Sequence, residues 1–279
     1  MNQLQGLFGG ARLRWIAAAV VVFNGFFPAV WILLTSFKSE AELAHTPITY
    51  LPHHATLANY VHAFTDQPLL VFLANSFVVA FCSTAIAVMV AACAAYAIAR
   101  LKLKYRGLIL SLIIASSMFP LVTLLVPLFE IMRTLGLLNT YLALIIPYSV
   151  LSLPVCTLVL VSFFQAIPED LESAALLDGC TRIGALFRIV LPLSAPGVFT
   201  AAILAFVNSW DEFLLALSLN SAPAFRTLPV GITLYQGEFR FPWPLISAAL
   251  VVAIVPVAAL MAIFQERVIG GLTAGGLKG

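Results

Sequence analysis

Residues 69–99 read LLVFLANSFVVAFCSTAIAVMVAACAAYAIA, an apolar run closed by Arg100. A helix rises about 1.5 Å per residue, and crossing the hydrocarbon core of a bilayer takes about 20 mostly apolar residues. The run exceeds that length, so it predicts a spanning helix that tilts or projects beyond the membrane. Five more apolar stretches flank it: Trp15 to Phe37, Leu108 to Met132, Tyr141 to Phe164, Gly197 to Leu219 and Leu245 to Phe264. The whole chain of 279 residues agrees, being 62% hydrophobic and only 9% charged. Soluble proteins carry about 25% charged residues. Composition therefore excludes a water-soluble enzyme, a nucleic-acid binder and a disordered chain. The expected fold class is an all-α membrane protein with six transmembrane helices.

The first stretch is longer than the about 7–15 residues of a signal-peptide core, and no small-x-small cleavage site follows it. It reads as an uncleaved span. Prolines sit inside several stretches (Pro28, Pro120, Pro127, Pro147, Pro154, Pro256). Each removes a backbone donor and predicts a kink, tolerated in lipid where neighbouring helices or water satisfy the freed carbonyls. Either a bundle around a pathway or a passive bundle of kinked helices fits. Four scattered cysteines (Cys82, Cys93, Cys156, Cys180) form no CxxC. They support neither a disulfide framework nor a zinc site.

With six spans both termini lie on one side. That side holds Arg12, Arg14, Arg100, Lys102, Lys104, Arg106, Arg182, Arg188, Arg267 and Lys278. The other holds only Lys38, Arg133, Arg226 and Arg240. Positive charge marks the cytoplasm, so both termini are expected there. A transmembrane domain over 15–267 would then lie between a cytoplasmic N-terminus (1–14) and a cytoplasmic tail (268–279). Outside, Lys38 to Pro68 carries His45, His53, His54 and His62, whose spacing fits no familiar metal-ligand pattern. It reads as a solvated loop. Asn220 to Pro244 carries Arg226, Tyr235, Glu238, Arg240 and Trp243, and a loop of that length is more often functional than filler.

The polar segment Gln165 to Pro196 has helix signals. Pro168 followed by Glu169, Asp170 and Glu172 is a helix start, and Gly179 suits a left-handed cap at its end. Thr181 can cap a second helix, whose Ile183, Leu186, Phe187 and Val190 recur at i, i+3, i+4 and i+7. Leu191-Pro192 would end it. Ala174 and Ala175 on the first helix would let a partner surface approach closely. From spacing alone, a docking projection and a hairpin lying passively on the membrane fit equally.

The stretch Glu172-Ser-Ala-Ala-Leu-Leu-Asp-Gly179, with Ile189-Val-Leu-Pro192 beyond it, resembles the EAA loop of binding-protein-dependent ABC importer permeases. That signature (E-A-A, three residues, G, nine residues, I, one residue, L-P) falls on Ser173, Ala174, Ala175, Gly179, Ile189, Leu191 and Pro192. Ser173 stands where the family usually has Glu, with Glu172 one step earlier. Residues 131–140 (IMRTLGLLNT), 163–168 (FFQAIP), 210–213 (WDEF), 226–231 (RTLPVG) and 271–279 (GLTAGGLKG) are similar to the carbohydrate-uptake branch, specifically its MalG-like subunits. The resemblance spans about Phe72 to Gly279.

This resemblance implies the type I importer permease fold in a bacterial or archaeal plasma membrane. It implies a sugar as cargo, delivered by an extracytoplasmic binding protein. The partners it implies are a second, MalF-like permease subunit and a dimer of ATP-binding subunits, alongside membrane lipid and no nucleic acid. Glu172, Ser173, Ala174, Ala175, Asp178, Gly179, Ile189, Leu191 and Pro192 would form the coupling loop seated in the ATPase. Gly275, Gly276 and Lys278 of the Gly-rich tail would also touch the ATPase; otherwise that tail is a flexible end.

No Lys follows a Gly, so there is no P-loop. No HExxH or GxSxG occurs either. The chain is expected to have no catalytic residues, no metal and no cofactor of its own, with ATP and Mg held by the partner ATPase. Asn208, Asp211 and Glu212 fall about midway along the fifth span, where ionisable groups are costly and normally face the bundle interior or water. With Trp210 as a stacking face they could line a sugar pathway, or they could hold two permease subunits together. An ion-coupled secondary transporter is the other reading. It would want an inverted repeat, and none is evident.

Overall fold

The structure is a computed structural model. It describes residues 2–101, 103–237 and 241–276, with side chains over 14–101, 103–237 and 241–264. Lys102, Glu238, Arg240 and Lys278, all invoked above, lie outside the described residues. Every regular element among the described residues is helical. Four helices are long and apolar enough to cross a membrane, and two sharply bent helix pairs would raise that to six. By contacts the chain divides into two compact units, Met1–Leu69 with Ile232–Val255, and Leu70–Gly231 with Pro256–Gly279.

The first unit contains α1 (Asn2–Ser36), α2 (Glu40–Leu43) and α3 (Ala58–Thr65). Helix α1 stays continuous through Pro28, and of its apolar stretch from Arg14 to Ser36 only Thr35 and Ser36, at the end, are buried within the chain. Its last carbonyl, Ser36 O, which has no intrahelical partner, is met from α3, as is Lys38 O just beyond the helix. The Asn59 amide donates to Ser36 O and Lys38 O, both at 2.8 Å. The histidine-bearing segment is solvated as expected, with all four histidines exposed, but it is also tied down. Lys38 is 1% exposed, donates to Thr49 O and lies over the Trp31 ring.

Glu42 accepts hydrogen bonds from His53 N (2.9 Å) and Thr49 Oγ1 (3.1 Å). The His53 amide is the main reason its carboxyl sits below its ordinary value. A depressed carboxylate stabilises its loop above the ordinary pKa and loses that contribution as pH falls through the folded value. Amide-exchange protection over residues 45–54, relative to the intrinsic rate at each pH, is therefore expected to fall in acid. A Glu42→Gln variant should show low protection at neutral pH as well.

The second unit contains α4 (Leu69–Arg100), α5 (Arg106–Ser117), α6 (Leu121–Thr134) and α7 (Leu142–Ala166). There follow α8 (Glu169–Leu177), α9 (Arg182–Ala185), a π turn (Leu186–Val190), α10 (Leu191–Leu193), α11 (Ala195–Asp211) and α12 (Leu214–Leu219). A 3₁₀ turn (Pro223–Phe225) and α13 (Leu228–Thr233) precede the last helix, α14 (Trp243–Gly276), which belongs to the first unit as far as Val255 and to the second from Pro256. Small residues build its core. Ala87, Ala91 and Ala95 recur every four residues along α4, in one cluster with Cys156, Leu160 and Phe164 of α7 and Ala201 and Ala205 of α11. Small side chains let helices approach closely where water supplies no driving force between them. Gly197 marks a point of very close approach. A Cβ there would stand 2.3 Å from Phe163 Cγ and 2.9 Å from Phe163 Cβ. Gly197→Val is expected to cost about 1–3 kcal/mol or more, as overpacking does, and to lower the yield of folded protein in detergent.

Two predicted spans are not single helices. Residues 108–132 fall into α5 and α6, bent by 88°. Pro120 caps α6 with extended ψ, since it has no N–H to continue a helix and disfavours α geometry before it. Pro28, Pro127, Pro147, Pro154 and Pro256 all lie inside continuous helices, so only Pro120 of the six breaks one. The stretch 197–219 is interrupted between α11 and α12 at Glu212 and Phe213. A second bend, of 84°, separates residues 182–193 from α11.

One end of this unit is closed by asparagines. Asn75 donates to Ala224 O and Arg226 O, both at 2.9 Å, and accepts from Tyr141 OH at 2.8 Å. Asn139, at φ 59°, accepts from Ala222 N at 2.7 Å. Asn75→Leu would strand two carbonyls and a hydroxyl, and unsatisfied buried groups cost about 1–3 kcal/mol each. The thermal unfolding midpoint in detergent should fall by several degrees.

Candidate functional site

The hairpin forms as its sequence dictates. Helix α8 follows Pro168, which occupies the cap position itself rather than the first helical one, and carries Glu169, Asp170 and Glu172 in its first turn. It ends at Gly179, φ +86°, in the left-handed region. Cys180 N donates to Ala175 O at 2.9 Å and Gly179 N to Leu176 O at 3.1 Å. These bonds satisfy carbonyls that a helix end leaves open. Thr181 caps α9 by accepting from Gly184 N at 3.1 Å. The second arm then widens into the π turn and continues through Leu191-Pro192 to Leu193, so Pro192 sits in the first turn of α10 rather than at a stop. Helix α8 packs back on α9 and the π turn.

The two faces of this hairpin divide the expected coupling residues. Ser173, Ala174, Asp178, Gly179 and Pro192 are exposed; Ile189 and Leu191 are half-buried. Glu172 and Ala175 are buried. Of the two alanines expected to face a partner, only Ala174 is exposed; Ala175 points inward, because α8 spends that face on its own hairpin. Glu172 is paired inside the chain, accepting from Tyr96 OH and standing 3.4 Å from Arg100 Nε. The apolar repeat on the second arm also splits. Leu186 and Val190 are buried while Ile183 and Phe187 are exposed.

The exposed face carries apolar residues that lie outside the coupling motif, Leu171 and Leu177 among them unremarked in the sequence. Leu177 is 88% exposed and Ile183 72%, with Leu171 and Phe187 also outward. Their signal was available: Leu177 stands two residues before the capping glycine. At the far end of the chain, Gly275 and Gly276 lie at the end of α14, whose backbone runs unbroken from Trp243.

The second group lies at the break after α11. Tyr148, Leu151, Leu121, Asn208, Ser209 and Glu212 line a cavity of about 190 Å³. Glu212 bridges the break: Oε1 accepts from Leu215 N at 2.8 Å, Oε2 from Ala216 N at 3.1 Å and from the Tyr148 hydroxyl. It thereby serves as the side-chain cap of α12. Asn208 and Glu212 thus meet at one cavity, while Asp211 is exposed at the end of α11. Trp210 is buried with its ring stacked on Phe206, centroids 5.7 Å apart, and does not line the cavity. Tyr148, 64 residues earlier on α7, was not foreseen.

Comparison with known proteins agrees with this architecture. Residues 83–271 match the family described as binding-protein-dependent transport system inner membrane component. The chain is 72% identical over 276 residues to the sulfoquinovosyl glycerol transport system permease protein SmoH of Agrobacterium fabrum, covering 99% of this chain and 97% of that one. It is 38% identical over 267 residues to the trehalose/maltose transport system permease protein MalG of Thermococcus litoralis, covering 95% of each. Among solved structures, a bacterial ABC transporter involved in import of the acidic polysaccharide alginate shares the fold. Its TM-score is 0.80 at 19% identity, over 93% of this chain and 96% of that one. Such relatives are permease subunits rather than enzymes, and the ATPase is a separate chain. The protein therefore belongs to the binding-protein-dependent inner membrane components, as a membrane-embedded, multi-pass ABC transporter permease similar to those of the carbohydrate-uptake systems.

Proposed function

We propose that this chain is one of two permease subunits of an ATP-driven importer in a bacterial plasma membrane. Its cargo would be a sugar glycoside of the sulfoquinovosyl glycerol type, delivered by an extracytoplasmic binding protein. The observation that carries the coupling is the hairpin's outward face, where Leu177 and Ile183 are exposed beside a left-handed Gly179. An apolar patch on a polar cytoplasmic segment suits a docking site. The cargo class rests on the 72% identity to a permease of that substrate. Ten basic residues against four across the spans support cytoplasmic termini and a cytoplasmic hairpin.

In this reading a dimer of ATPase subunits, which hold ATP and Mg, grips the hairpin, with the tail residues Gly275, Gly276 and Lys278 as a second contact. Closure of that dimer drags the hairpin, and the helices attached to it, α7 and α11, tilt. ATP shifts the transporter only through its differential interaction with the two states. Reversing a 1:99 population takes about 5.5 kcal/mol, within reach of two bound nucleotides. Asn208, Ser209 and Glu212 present hydroxyl-matching groups to the pathway.

Uptake by proteoliposomes holding the whole transporter tests this. Labelled sulfoquinovosyl glycerol should accumulate only with binding protein and internal ATP, and maltose should compete poorly. Accumulation driven by a proton or sodium gradient without nucleotide would favour a secondary transporter instead.

A further inference from the structure

The ion pair beneath the hairpin is not explained by docking, because none of its members faces outward. Arg100 is the last residue of α4. Its Nη2 donates to Ile167 O at 2.8 Å, and Ile167 is the extended residue that joins α7 to α8. Its Nε stands 3.4 Å from Glu172 Oε2, an ionic contact rather than an aligned hydrogen bond. The other Glu172 oxygen accepts from Tyr96, one helical turn earlier on α4. The Arg100 side chain is 4% exposed and that of Glu172 10%.

A buried ion pair is weak evidence for stability, since well-packed apolar residues often do as well. What charge adds is orientation. A guanidinium presents donors in a fixed fork, and here the fork spans the joint carbonyl and the first turn of α8 together. The hairpin is continuous in sequence with α7 and leads toward α11; Leu186 and Val190 share an apolar cluster with Tyr96 and Ile98 of α4, and this clasp adds a directional polar tie to the end of that helix.

We propose that Arg100, with Glu172 and Tyr96, is a positioning clasp that makes α4 move with the coupling hairpin. It rests on the coupling function proposed above. Without it the hairpin would follow the ATPase while α4 lagged, and nucleotide would be hydrolysed with little transport.

The test is the number of solute molecules moved per ATP, measured on the complete transporter and normalised to assembled complex. Arg100→Gln is expected to lower that ratio at least tenfold while the ATPase still co-purifies. Arg100→Lys keeps the charge without the fork and should fall between. The double variant Arg100→Met with Glu172→Leu removes the pair without stranding a charge, so it should assemble normally and still transport poorly per ATP. A normal ratio in assembled Arg100→Gln or in the double variant would overturn the clasp and leave a structural filler. Failure of the underlying coupling function would look different: the unmodified chain would then bring down no ATPase, or accumulate solute without nucleotide.

Discussion

Leu177→Asp and Ile183→Asp are each expected to release the ATPase from an otherwise intact permease. Both side chains stand on the outward face of the hairpin, at 88% and 72% exposure, so neither contributes to the fold it projects from. Placing a carboxylate at the centre of an apolar contact removes an anchor and buries an unpaired charge. Single anchors in protein interfaces are worth about 2–4 kcal/mol, or a factor of roughly 30 to 1,000 in affinity. Membrane insertion and yield should be unchanged, ATPase co-purification should fall by that factor, and ATP-driven uptake should be lost. Retention of the ATPase at full strength by both variants would show that this face docks nothing. Ala175→Trp is a contrasting control. Ala175 is buried on the inner face of α8, so the indole would unseat the helix, and the loss should register as reduced folded permease.

Glu212→Ala should abolish uptake by a different route. The carboxylate gathers Leu215 N, Ala216 N and the Tyr148 hydroxyl across the break between α11 and α12. Losing a side-chain cap costs about 1 kcal/mol, and stranding a buried hydroxyl about 1–3 kcal/mol more. A total near 3 kcal/mol shifts the local equilibrium about 100-fold toward a frayed α12, which also packs Leu215 and Leu219 into the core beside Tyr148. Uptake is expected to fall by a comparable factor with the ATPase still bound. Tyr148→Phe removes one of the three bonds and should lose less. If Glu212→Ala transported normally, the carboxylate would be neither a pathway group nor a necessary cap.

The contrast between these variants shows which features were legible in sequence. Gly179 and Thr181 could be read as cap and start because capping is local: a left-handed φ favours glycine, and a hydroxyl reaches an amide three residues on. Pro120 could not be told from Pro127 or Pro147. All three lack an N–H, and only the surrounding packing decides whether a helix bends through or breaks. Glu212 looked like a costly charge midway along a span because the break that it caps has no sequence mark of its own. Arg100 was counted as one of the cytoplasmic positive charges, with no hint that residues some seventy positions away bury it.

Alone, the sequence determined that the chain is helical and membrane-embedded, that it carries a Gly-capped hairpin, and to which family it belongs. Each of these follows from local chemistry: apolar run length, backbone preference and a spaced motif. The tertiary structure alone decided which face of the hairpin is free, that Ala175 and Glu172 turn inward, that Trp210 is occupied by Phe206, and that Tyr148 meets Glu212. A residue's neighbours across helices depend on how whole helices pack, and the alternation of polar and apolar residues along one helix does not encode which partner lies opposite.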